Sequence, residues 1–188
     1  VDVAVRNIDV DDFLSVLSQE PLEWRPFVIL ELPTKYDDLF SRFFGRRCVN
    51  CDTIPRNPLI CLLCSKLVCL DLCCSTPNPT GPGLYDNEVE KHAIECGNGA
   101  GCFLALNSSL TVIVSRHTAT IWGSVYLDAH GEEDRNLKRG KPLFLSTRRY
   151  EKLRADWASQ TFDQPVSIPF SFEHLPVFLR DAHLVTNF

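Results

Sequence analysis

The residues of this 188-residue chain best suited to chemistry are its nine cysteines and five histidines, and the cysteines are unevenly spread, with seven between Cys48 and Cys74. Cys48-Val-Asn-Cys51 and Cys61-Leu-Leu-Cys64 are C-x-x-C pairs. The tight turn inside such a pair points both sulfurs and nearby backbone N–H groups at one ion, which suits a metal knuckle. Cys69 follows on a short apolar segment, then Cys73-Cys74. His92 and Cys96 are four residues apart, so on a helix they point the same way and can bind one ion. The donors thus form four pairs in chain order: Cys48/Cys51, Cys61/Cys64, Cys69 with Cys73 or Cys74, and His92/Cys96. With Cys74 taken as the eighth donor, two Zn2+ ions are expected. Four sequential pairs suggest a cross-brace, in which the first and third pairs share one zinc and the second and fourth share another. A ribbon, in which the first two pairs take one ion, stays open. A thiolate-rich site with four protein ligands leaves no position for a reactive water, so the zinc is expected to be structural.

A disulfide framework is the competing reading. The cysteine count is odd, the chain is not a small scaffold, and the thiols come in C-x-x-C pairs. Thiolates holding metal in a reducing compartment, cytoplasm or nucleus, are therefore expected. Asn107-Ser108-Ser109 matches a glycosylation sequon but sits where a hairpin turn is expected. The 45% hydrophobic and 23% charged content is that of a globular protein with its own core. A net charge of −5 argues against a nucleic-acid partner, which calls for a basic face. No apolar run approaches the roughly 20 residues that cross a bilayer, so no membrane partner is expected. The first residues lack the charged and apolar regions of a secretory signal. The chain contains no methionine, which reads as a piece of a larger protein.

The elements that must position these donors give an α+β fold: a small zinc-stapled, cross-brace-like region with flanking helices and a short antiparallel sheet. Residues 1–47 read as a helical lead-in. Asp11 or Asp12 caps a short helix carrying Phe13, Leu14 and Leu17, and Phe27 to Leu32 is an extended apolar run. Thr34 with Asp37 has the form of a capping box. Behind it Tyr36, Leu39, Phe40, Phe43 and Phe44 repeat at helical spacing as a buried stripe, closed by Gly45. The zinc-binding region spans 48–102, with Asn87 capping a helix that runs to Cys96 and Gly97 as its C′ residue. Residues 103–164 read as strands over Phe103–Leu106, Leu110–Val114 and Ala119–Trp122, an edge strand at Pro142–Leu145, and a helix capped by Ser146 or Thr147 that carries Tyr150, Leu153 and Trp157. These are expected to pack with the zinc region as one domain. Residues 165–188 are a tail rich in proline and phenylalanine.

The ordered motifs Leu32-Pro-x-x-Tyr-Asp-x-Leu-Phe40, Cys61-Leu-Leu-Cys64, Cys73-Cys74, His92-x-x-x-Cys96-Gly97, Trp122-Gly-Ser-Val-Tyr-Leu-Asp-Ala-His-Gly-Glu-Glu-Asp134 and Arg139-Gly-Lys-Pro-Leu143 resemble the C-terminal region of the UBR ubiquitin ligases, the N-recognin family. The likeness covers about Leu32 to Phe162 and looks most like the type 3 branch. Two departures stand out. Many relatives have a cysteine three before the histidine, where this chain has Val89, and Ser65 stands where a knuckle usually has Gly. Position 89 is then dispensable for zinc, or another group such as Cys69 or Cys73 substitutes. The resemblance implies a large ligase in which a RING domain recruits a ubiquitin-conjugating enzyme and a UBR box reads substrate. RING spacing is not matched here, so the conjugating enzyme is expected to be reached only through a RING outside this chain. The chain itself is expected to be non-catalytic and to act in scaffolding, autoinhibition or partner docking. Its partners would be other domains of the parent ligase, with a substrate or adaptor protein as a further partner. The alternative is a stand-alone zinc-dependent interaction module unrelated to ubiquitin.

Tyr126 to Leu143 combines apolar anchors with an acidic run at Glu132, Glu133 and Asp134 beside a basic one. Exposed ion pairs contribute roughly 0–1 kcal/mol, so the stretch reads either as a solvated hairpin or as a surface that docks on the parent ligase through those three acids. Asp128, His130 and the same acids also suggest a metal or acid–base site, which an exposed turn around Gly131 explains as well. Cys102 leads a strand and reads as a small core residue.

Overall fold

The computed structural model describes residues 28–70, 74, 76–77, 85–86, 88–115, 118–135, 137–162 and 169–170. The helix expected after Asp11, the cap at Asn87, the turn at 116–117, Cys73 and most of the tail lie outside them. The described residues form an α+β fold: helices α1 (Tyr36–Phe43), α2 (Glu88–Gly97) and α3 (Thr147–Ser159), with a six-stranded sheet. The sheet comprises β1 (Pro58–Cys61), β2 (Leu67–Cys69), β5 (Ala100–Ala105), β6 (Leu110–Ser115), β7 (Thr118–Ser124) and β10 (Pro169–Phe170), ordered β10-β7-β6-β5-β1-β2 with every pair antiparallel. Two-stranded ribbons join β3 (Thr76–Pro77) to β4 (Tyr85–Asp86) and β8 (Tyr126–Leu127) to β9 (Phe144–Leu145).

The central strands read as continuous apolar runs because both faces of the sheet are covered. Side chains alternate between two packed clusters. Ile60, Cys102, Leu104, Ile113 and Trp122 face one side, with α1 and α3. Leu59, Cys61, Phe103, Ala105, Val112 and Val114 face the other, where Val89 and Ala93 of α2 pack. The period-two alternation of a strand makes this division. Two of the strands, β1 and β2, come from the knuckle segment itself, with Leu59 opposite Ala105 and Cys61 opposite Phe103.

On α1, Tyr36, Leu39 and Phe43 are buried, and the Tyr36 hydroxyl donates to the Leu106 carbonyl. Thr34 does not cap this helix. The N-cap is Lys35, without a side-chain bond, because the Thr34 carbonyl accepts Leu145 N–H and Lys35 bridges Phe144. Phe44 leaves the stripe at 68% exposure, since the backbone unwinds there as the C-cap. Residues 28–32 form no strand; Leu30 N–H donates a single backbone bond to Leu62. In α3, Tyr150, Leu153 and Trp157 are buried behind an N-cap at Ser146. Gly97 is not the left-handed residue that ends α2: Asn98 and Gly99 take φ of 52° and 94°. Among the described residues no helix is long and apolar enough to cross a membrane.

Candidate metal centres

The two C-x-x-C segments adopt one backbone turn. In the first, Asp52 N–H donates to Cys48 O at 2.9 Å and Cys48 N–H to Thr53 O at 2.8 Å. In the second, Ser65 N–H donates to Cys61 O at 2.8 Å and Cys61 N–H to Lys66 O at 2.9 Å. The offsets are the same, and in both the residue after the second cysteine is left-handed, Asp52 at φ 52° and Ser65 at φ 63°. That backbone requirement is why glycine suits the position occupied by Ser65. The turn also aims a donor at sulfur: Asn50 N–H lies 3.4 Å from Cys48 Sγ.

Each turn meets a different second pair of donors. The side-chain donor atoms of Cys48, Cys51, Cys69 and Cys74 all lie within 4.8 Å of one another, as do those of Cys61, Cys64, His92 and Cys96. The hairpin of β1 and β2 makes this division. Its register sets Cys69 opposite Pro58, at the far end of the hairpin from Cys61 and the second knuckle. At about 3.4 Å per residue, three residues of strand carry Cys69 roughly 10 Å from Cys61. The last pair comes from α2, whose Ala93 approaches the sheet at Gly101, where a Cβ would come within 2.4 Å of the Phe103 ring. His92 is buried beneath that contact, its ring 6.0 Å from the ring of Phe103. Its Nε2 lies 3.3 Å from Cys64 Sγ, and Cys61 Sγ lies 3.9 Å from Cys96 Sγ.

These sets fit a tetrahedral cation. Metal–sulfur bonds of 2.3 Å at the tetrahedral angle put sulfurs about 3.8 Å apart. Cys48 and Cys74 sulfurs lie 3.4 Å apart, far beyond the roughly 2.05 Å of a disulfide, and none of the eight described cysteines is disulfide-bonded. Burial, followed by the neighbouring thiols, pushes the Cys61 and Cys74 thiols well above their usual range. A divalent cation is what stabilises such crowded, desolvated sulfurs as thiolates. Burial, then Lys66, lowers the His92 pKa and favours the neutral imidazole that ligates metal. Two Cys/His clusters that could hold metal ions are therefore present, each with four donors. Val89 is fully buried in the apolar cluster against the sheet. Cys102 is buried as well, and desolvation pushes its thiol up.

Two residues beside the first cluster escaped the sequence reading. Glu88, at the start of α2, accepts the Cys69 backbone N–H at 2.8 Å and the Asn50 side-chain amide at 2.7 Å. A glutamate in a first helical turn reads as a complement to the helix dipole. The signal that could have found it is its spacing of four and eight residues from His92 and Cys96.

The acidic stretch is built inward. Asp128 Oδ1 accepts the N–H groups of His130 and Glu132 at 2.8 and 3.0 Å, so it organises the turn around Gly131. Asp134 is buried and accepts the N–H groups of Lys138 and Arg139 at 3.1 and 2.9 Å. Glu133 reaches Arg149 at 2.6 Å, Arg135 at 2.9 Å and Ser124 N–H at 3.2 Å. Tyr126 and Leu143 are core residues rather than exposed anchors. Asp128 and Asp134 thus satisfy backbone donors of their own loop, and Glu133 ties that loop to the end of β7 at Ser124. Of the three acids proposed for docking, Glu132 alone is exposed, and it pairs with Arg139.

The profile of the Proteolysis_6 C-terminal family matches residues 15–159. The chain is 41% identical over 150 residues to the E3 ubiquitin-protein ligase UBR3 of Homo sapiens, covering 79% of this chain. It is 39% identical over 168 residues to Ubr3 of Drosophila melanogaster, covering 89%. The chain belongs to the C-terminal region of the UBR family of E3 ubiquitin-protein ligases. Within that family the UBR1 ligase of Homo sapiens is more distant, at 33% identity over 135 residues. The match covers 8% of human UBR3 and 7% of the Drosophila relative.

Proposed function

We propose that this UBR-family domain is a zinc-stapled scaffold of a RING-type ubiquitin ligase, acting in the cytoplasm or nucleus through protein docking or autoinhibition. The observation that carries the reading is the pair of interleaved four-donor clusters. Cys48, Cys51, Cys69 and Cys74 would hold one Zn2+, and Cys61, Cys64, His92 and Cys96 the other. With four protein donors each, the ions would supply folding free energy rather than an activated water. Family membership supports the connection to ubiquitin transfer. The parent ligase would reach its conjugating enzyme through a RING outside this chain, and this domain would contact other parts of the ligase, or a substrate or adaptor, in part through the exposed Glu132.

Elemental analysis of the purified chain tests the metal reading, with two zinc ions per chain expected and one or none overturning it. The assignment of a non-catalytic role is checked by incubating the chain with ubiquitin, activating enzyme and conjugating enzyme. No chain formation is expected, and robust chain formation free of contaminating ligase would refute it. Glu132→Lys should weaken binding to the remainder of the ligase in a calorimetric titration, and unchanged binding would remove Glu132 from the docking surface.

A further inference from the structure

Glu88 is only 5% exposed, and its two carboxylate oxygens meet three parts of the first cluster. Oε2 accepts the backbone N–H of Cys69 at 2.8 Å and lies 3.6 Å from Cys48 Sγ. Oε1 accepts the side-chain amide of Asn50, inside the first knuckle, at 2.7 Å. Both nitrogen donors are neutral. Burying a carboxylate is expensive unless it is hydrogen-bonded, and these two donors, one on the backbone of Cys69 and one inside the first knuckle, are what hold Glu88 in place. Glu88 also begins the helix that carries the second cluster's His92 and Cys96, at i+4 and i+8 on one face. The helix is a rigid bar about 12 Å long between these positions. Its later turns supply ligands to one cluster, and its first residue fastens the other.

We propose that Glu88 is a positioning residue for the first metal cluster and that through α2 it makes the two clusters cooperative. This inference rests on the reading of both clusters as metal sites. Metal at His92 and Cys96 fixes α2, which presents the Glu88 carboxylate where it clamps the Cys69 backbone and the first knuckle. Coupling of this kind is reciprocal, so metal in the first cluster also strengthens the second.

The test is site-resolved thiol labelling of the full zinc-loaded chain under a chelator, read by peptide mass spectrometry. Cys48, Cys51 and Cys69 report the first cluster, and Cys61, Cys64 and Cys96 the second. Outer partners of metal ligands typically change affinity by about 10–100-fold, so Glu88→Ala should hasten labelling of the first group by at least about tenfold and of the second by less. Val89→Ala, a buried change on the same helix, should move both groups together. His92→Ala should hasten first-cluster labelling in the native background but add no more than about twofold to Glu88→Ala, as expected when both act through one element. Asn50→Ala, which removes one arm of the clamp, and Glu88→Gln, which keeps the size but misplaces a donor, serve if Glu88→Ala does not fold. Equal acceleration of both clusters by the Glu88 variants, or none, overturns the positioning role. A full His92→Ala effect in the Glu88→Ala background overturns the coupling. A native chain that carries no metal overturns the metal reading itself, a result distinct from either.

Discussion

Single side chains set how the acidic stretch behaves. Sequence alone presents Glu132, Glu133 and Asp134 as three equivalent surface charges, yet only Glu132 faces solvent. Asp134 satisfies two backbone N–H groups that would otherwise be unpaired near the core. Asp134→Ala should therefore lower stability by about 1–3 kcal/mol in thermal or urea unfolding, while Glu132→Ala changes it little. The same geometry gives a pH dependence. Burial alone would raise the Glu133 pKa, but Arg149, the Ser124 N–H and Arg135 together hold it below the usual value. For Asp128, the N–H of Glu132 is the leading cause of a lowered pKa. A carboxylate depressed in the folded state contributes stability that is full above its unfolded pKa, about 4.3 for glutamate, and lost as pH falls through the folded value. Stability should thus hold from neutral pH to about 5 and fall below about 4, and Glu133→Gln should flatten that acid limb. An unchanged limb would show that Glu133 does not contribute.

At the scale of elements, turns and close approaches matter more than propensity. The two knuckles share a left-handed residue after the second cysteine, which is a backbone demand and not a side-chain one. Ser65→Val should lower the thermal midpoint, with a cost of about 1–2 kcal/mol for a branched residue at positive φ, whereas Ser65→Gly should not lower it. A Ser65→Val variant as stable as the native chain would show that the turn is not held at this φ. The seat of α2 is equally sensitive. Gly101→Ala places a Cβ 2.4 Å from the Phe103 ring of the same strand and 3.2 Å from Ala93, so the ring must shift and α2 must give by a few tenths of an ångström. Overpacking of this kind costs about 1–3 kcal/mol, measured by denaturant unfolding. The strand periodicity in 103–122 made the meander legible, because uncharged residues alternate between two buried faces. It did not show where β5 starts. Ala100 and Gly101 carry too little apolar surface to announce a strand, and only pairing with Val114 and Ser115 makes them one.

For the whole molecule, the two candidate metal clusters and the sheet are one structure, because β1 and β2 carry cysteines of both clusters and form one edge of the sheet. Chelation should then do more than loosen a loop. Hydrogen exchange after metal removal should show protection lost first over 48–69 and 88–99, then along β5, with β6 and β7 lasting longest. Uniform loss across all strands would mean that the sheet has no stability apart from the metal sites.

The sequence by itself determined the fold class, the helix stripe of Tyr36, Leu39 and Phe43, the meander, the family, and the cysteine and histidine pairs, since each is written in local spacing. Pairing of Cys48/Cys51 with Cys69 and Cys74, and of Cys61/Cys64 with His92 and Cys96, belongs to the tertiary structure. It depends on the register that sets Pro58 opposite Cys69 and on the packing of Ala93 against Gly101, contacts between residues distant in the chain. Glu88 and Asp134 were hidden for the same reason. A carboxylate looks alike in sequence whether it meets water or the N–H groups of Cys69 and Arg139, and only the fold brings those donors to it.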